Sequence, residues 1–171
     1  MQKCPSSLIA AVFLAMPALA DSGQSGAAKV EISHFSGKPV PRFENFRFAA
    51  VNGREGPSES HRILWRYERA GLPVLIVKES RNWRRVRDPD GDEVWVHARM
   101  LAPDRRALVL ATGGVHARPD AEAPEVARLE AGVVAELSGC QAEWCHVSAQ
   151  GRHGWFARSA LWGVNPDEVP L

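Results

Sequence analysis

Two stretches of about sixty residues in this chain resemble one another, and that repetition limits the possible folds more than any other feature. Asn82-Trp83-Arg84-Arg85-Val86 matches Glu143-Trp144-Cys145-His146-Val147. Farther on, Gly91 to Leu101 resembles Gly151 to Leu161, with Trp95 against Trp155, at offsets of 60 or 61 residues. Upstream, Val51-Asn52-Gly53-Arg54 aligns with Val115-His116-Ala117-Arg118, which sets Arg54 against Arg118. The two copies fill residues 42–102 and 105–163. The connection near Ala102-Pro103-Asp104 is so short that the copies are expected to touch or hold a fixed angle.

Each copy reads as short strands separated by turn chemistry. Leu72 to Val77 is an apolar, β-branched run of strand length. Trp83 to Arg87 follows, then Asp88-Pro89-Asp90-Gly91-Asp92, whose Asp-Gly signals a hairpin turn. Val94-Trp95-Val96 resumes a strand, and Arg99-Met100-Leu101 suits a last helical turn. No window holds a long helical period, and Pro124 to Leu129 reads as loop leading into strand. About five short strands in sixty residues need a closed or nearly closed sheet to protect their edges, so each copy is expected to be a small all-β barrel.

The order Val-Asn-x-Arg-x-Gly-Pro, a mid-module Gly-x-Val, Asn-Trp-x-x-Val and Gly-x-x-x-Trp-Val-x-x-x-x-Leu resembles the bacterial SH3-like (SH3b-type) family. The second copy shares the pattern through Trp144-Cys145, Gly154-Trp155 and Leu161-Trp162-Gly163-Val164. Gly53 stands where the family usually has an apolar strand residue, and Pro119 where it has a small one. The resemblance implies two tandem SH3-like barrels of five to six short strands each. It also implies a non-enzymatic cell-envelope module that binds a wall peptide, peptidoglycan or a protein segment. A structural part of an envelope complex is the second reading, and a wall hydrolase or its regulator a remote third.

Residues 1–20 have the three parts of a signal peptide: Lys3 near the start, an apolar run from Leu8 to Ala15, and Ala18-Leu19-Ala20 before Asp21. Cleavage after Ala20 leaves no spanning segment and predicts a periplasmic or secreted protein. Lys and Arg number 21 against 20 Asp and Glu, and removing Lys3 with the leader brings the balance to zero. A neutral chain has no bulk attraction for nucleic acid, so none is expected as a partner. Residues 21–41, rich in Gly, Ser and Pro, read as a flexible linker, and 164–171 as a tail.

Cys140 and Cys145 are the only cysteines left after cleavage, and in an oxidising compartment they are expected to pair. Zinc on Cys140, Cys145 and His146 lacks a second ligand pair, and no histidines fall at HxxxH or HxH spacing, so no metal or cofactor is expected. Neither a free thiol beside a base nor a G-x-S-x-G context is present in the mature part, so no catalytic residues are expected. The candidate ligand-binding residues are Trp83, Trp95, Trp144, Trp155, Arg54 and Arg118. The tryptophans either wall a groove for an extended peptide or glycan, or simply fill and cover a small core. The arginines either hold a carboxylate or, as is commoner, brace a loop through its carbonyls.

Overall fold

The computed structural model describes residues 30–165. The proposed leader falls outside them, as do residues 21–29 and 166–171. After a short hairpin of β1 (Glu31–Ile32) and β2 (Pro39–Val40), the chain forms two seven-stranded sheets. The first contains β3 (Arg42–Phe46), β4 (Val51–Arg54), β5 (Ile63–Tyr67), β6 (Pro73–Ser80), β7 (Trp83–Arg87), β8 (Glu93–His97) and β9 (Leu101–Ala102). The second contains β10 (Arg106–Val109), β11 (Gly113–His116), β12 (Glu125–Leu129), β13 (Val134–Gln141), β14 (Trp144–Ala149), β15 (Arg152–Ala157) and β16 (Leu161–Trp162). Their orders, β5-β4-β8-β7-β6-β3-β9 and β12-β11-β15-β14-β13-β10-β16, are the same topology element for element. Seven segments stand where five or six were expected, because pairings as short as β9 and β16 complete each barrel. One turn of 3-10 helix, Ala98–Met100 or Arg158–Ala160, leads into that last strand.

The expected turns are present. Asp88 Oδ1 accepts from the backbone N–H groups of Asp90 (3.1 Å) and Asp92 (3.0 Å), which folds β7 onto β8. The matching turn in the second barrel uses Gln150 and Gly151, both at positive φ, as a two-residue hairpin of this handedness requires.

Each barrel has its own core, one built on Phe46, Ile76, Val86 and Val96, the other on Val109, Leu137, Val147 and Phe156. Strand pairing shows how two dissimilar sequences fill one shape. Val51 and Val96 correspond to Gly113 and Phe156, and a Cβ on Gly113 would lie 3.1 Å from the Phe156 ring. Gly53 and Val94 correspond to Val115 and Gly154, the small and large partners exchanged. A Cβ on Gly53 would come within 2.6 Å of Val94, and one on Gly154 within 2.8 Å of Val115. Gly53 thus sits in β4, next to a register shift between it and Arg54, where Val94 occupies the volume its own side chain would need. Such exchanges hold packed volume constant, the quantity a core tolerates least change in.

Cys140 and Cys145 face each other across β13 and β14 and are joined as a disulfide, both fully buried. A loop this short stabilises by about 2 kcal/mol on the chain-entropy account.

The stretch read as a flexible linker departs from that expectation over residues 31–40, which form the β1–β2 hairpin seated on the first barrel. Glu79, whose side chain is 1% exposed, is the anchor. It accepts from Ser33 Oγ (2.5 Å) and Ser36 Oγ (2.9 Å) of the hairpin and pairs with Arg42 (2.7 Å) and Arg84 (3.1 Å). Arg42 in turn bonds Glu44 and the carbonyl of Pro39. The small polar residues that resemble a spacer are hydrogen-bond donors to a carboxylate more than forty positions away.

The barrels touch, as the short connection requires. Trp162 Nε1 donates to the Pro73 carbonyl at 3.0 Å, and its ring meets Phe43 edge-on at 5.1 Å. Asn45 Nδ2 donates to the Asp104 carbonyl, and Arg69 to the Gly132 carbonyl.

Candidate functional site

Alternation along β7 and β8 decides what the first barrel shows to solvent. Val86, Val94 and Val96 point into the core, which turns Trp83, Arg85, Arg87, Trp95 and His97 outward. In the second barrel Cys145, Val147 and Phe156 point inward, and Trp144, His146, Ser148, His153 and Trp155 outward. All four candidate tryptophans are therefore on the outer face, half-buried, and belong to neither core.

Three of them make ring contacts with histidines. Trp83 meets His97 edge-on at 5.4 Å, Trp144 meets His116 at 5.2 Å, and Trp155 meets His146 at 5.4 Å. His97 lies two residues beyond Trp95 on one strand, so period-two counting could have placed it on this face. Sequence spacing gave no such signal for His116, which comes from a different strand pair.

Arg54 is spoken for. Its guanidinium donates to the carbonyls of Glu59 (2.9 Å) and His61 (2.8 Å), bracing the loop between β4 and β5. The residue with this task in the second barrel is His116, whose Nδ1 lies 2.9 Å from the Ala123 carbonyl. Both brace a carbonyl seven residues on, and both pair with the outer tryptophan of the neighbouring strand, Trp95 or Trp155. The counterpart of Arg54 is thus His116, not Arg118. Arg118 is exposed on the loop, where the first barrel has Gly56. The alignment by letters slipped by two residues, and a slip of two leaves every side chain on its own face, so the polar–apolar pattern could not reveal it.

Open pockets border the Trp83 and His97 rings. One of 170 Å³ joins Asn52, Arg54, Glu59, Trp83 and His97, and a neighbour of 340 Å³ continues past Trp83 and His97 toward Pro57 and Arg81. Glu59, Trp83 and His97 line both. In the second barrel a pocket of 360 Å³ lies instead beside His146, His153 and Gly154. Burial first, and then the neighbouring His153, lowers the basicity of His146. Across the face, Arg85 and Arg87 both pair with Glu93, at 2.8 and 2.6 Å, so two guanidiniums share one carboxylate.

The bacterial SH3 domain model matches residues 49–103 and again 111–163. The chain belongs to the bacterial SH3 domain family. The resemblance carried by the repeated Trp and Gly positions is thereby confirmed, with two tandem SH3 barrels. No curated protein matches the chain. Solved structures with detectable similarity include NlpC1 and NlpC2 from Trichomonas vaginalis, 13% and 11% identical, each with a TM-score of 0.34. The matches cover 77% and 72% of this chain but 48% of each of those, so the chain spans about half their length. Among the described residues no helix of the two SH3 barrels is long and apolar enough to cross a membrane.

Proposed function

We propose that this protein is a non-catalytic binding unit of the bacterial cell envelope, whose SH3 barrels hold an extended wall peptide or glycan against their outer aromatic faces. The observation that carries this reading is the placement of Trp83, Trp95, Trp144 and Trp155. A ring that filled the core would be explained by packing alone, whereas these rings stand outside it, and Trp83 borders two open pockets. Rigid aromatic walls with a few polar neighbours suit an extended ligand that stacks flat and is oriented by hydrogen bonds. Arg54 and His116 contribute by fixing the loops that flank those walls. The Cys140–Cys145 bond fits an oxidising compartment outside the cytoplasm, in line with the leader proposed for residues 1–20.

Co-sedimentation of the full chain with purified peptidoglycan tests the proposal. Retention above that of an unrelated neutral protein is expected, and Trp83→Ala should reduce it without altering thermal stability much, since Trp83 lies outside the core. Retention equal to the control would count against it.

The second reading, a part of an envelope assembly, is favoured by one observation. Edge strand β5 exposes Ile63, Leu64 and Trp65 together, and unpaired apolar edges serve as pairing surfaces for other chains. Cross-linking in envelope extracts would separate the readings, because an assembly part is found attached to partners in the absence of wall material.

A further inference from the structure

The same pair of outward positions on the central hairpin carries different chemistry in the two barrels. In the first, Arg85 and Glu93 occupy them and form an ion pair at 2.8 Å. Strand register sets His146 in the place of Arg85, opposite Trp155 as Arg85 is opposite Trp95. It likewise sets His153 in the place of Glu93, opposite Ser148 as Glu93 is opposite Arg87. Two groups that attract are thus replaced by two bases with no direct attraction, held with ring centres 6.0 Å apart.

The other described histidines with assigned nitrogens have local tasks. His61 Nδ1 bonds Ser58 Oγ, His97 Nδ1 accepts from the Arg99 N–H, and His116 Nδ1 meets the Ala123 carbonyl. His146 Nδ1 is buried with no hydrogen-bond partner. The pair borders the open 360 Å³ pocket, so a small solute reaches it from solvent.

We infer that His146 and His153 form a two-histidine site for a borderline transition-metal dication such as Cu²⁺ or Zn²⁺, replacing the ion pair of the first barrel. Two imidazoles on one ion, each at a metal–nitrogen distance of about 2.0–2.1 Å, have ring centres ~5–6 Å apart, depending on the angle at the metal. The observed separation needs no backbone movement to meet that range. Among the described residues no third His, Cys, Asp or Glu completes the set, so the ion retains positions open to water or an incoming group. Arg152 borders the same pocket and holds the affinity below that of a site built with carboxylates. His146 and His153 are seven positions apart and meet only because a hairpin folds between them, which is why ligand-spacing patterns along one strand or helix do not detect them.

The test is titration of the full chain, purified without a histidine tag, with CuCl₂ and with ZnCl₂, followed by calorimetry and by NMR of the imidazole groups. The expected result is one ion per chain, Cu²⁺ bound more tightly than Zn²⁺. The ring signals of His146 and His153 should change together while those of His61, His97 and His116 stay in place. His153→Ala should weaken uptake by about tenfold or more. The double variant His146→Arg/His153→Glu restores the ion pair of the first barrel, so it should remain folded and lose this uptake. No change in the two ring signals at about 1 mM metal would overturn the inference. So would uptake that the double variant retains in full.

Discussion

Replacing Glu79 by alanine is expected to destabilise the first barrel by about 3–5 kcal/mol, the usual cost of leaving a buried charge without its partner. Glu79 is the shared acceptor of Ser33, Ser36, Arg42 and Arg84, and the two guanidiniums have side chains only 10% exposed. Without the carboxylate these cations lose their common counter-charge, and the β1–β2 hairpin loses both of its serine contacts to it. Denaturant unfolding would measure the first effect. Faster hydrogen exchange at the Ser33 and Gly37 amides, which bond across the hairpin, would measure the second. Burial on its own would raise the Glu79 carboxyl, but hydrogen bonds from Ser33, Ser36 and Arg42 outweigh it and leave the group below the ordinary carboxylate value of 4.5. The folded form therefore binds its proton less readily than the unfolded chain, so the stabilisation is fully present above about pH 4.5 and is lost as pH falls through the lower folded value. The gap between wild type and Glu79→Ala should accordingly narrow in acid.

Phe156→Ala should cost the second barrel about 3–5 kcal/mol, since the ring is 1% exposed and removing it opens a cavity beside Gly113. The comparison between barrels supplies a sharper form. Phe156→Val alone leaves part of that space empty, whereas Phe156→Val with Gly113→Val reproduces the Val96 and Val51 pair of the first barrel. The double variant should be more stable than Phe156→Val alone, as read from the midpoint of thermal unfolding. If the second change worsens the first, the two barrels do not share one packing scheme.

Much of this architecture was legible because it is written locally. The hairpin turns depend on Asp-Gly and its neighbours, the core faces on alternation, and the disulfide on two cysteines five positions apart. What was not legible depends on partners far along the chain. Ser33 and Ser36 resemble linker residues until Glu79 is placed beside them. Gly53 looks like a flaw in a strand until Val94 is seen filling its space. Arg118 took the place of His116 because a shift of two preserves the pattern of faces, and only strand pairing could correct it. The candidate face was partly visible in the same way. The repeated tryptophans marked it, but their outward direction and their histidine neighbours depend on which strand lies next to which.

Mapping by NMR of the full chain with soluble muropeptides tests the binding proposal most directly. The account predicts that the indole signals of Trp83 and Trp95, or of Trp144 and Trp155, move on addition of these fragments, together with the loop that Arg54 or His116 braces. Unchanged indole signals at saturating fragment, or changes confined to the exposed strand β5, would contradict it.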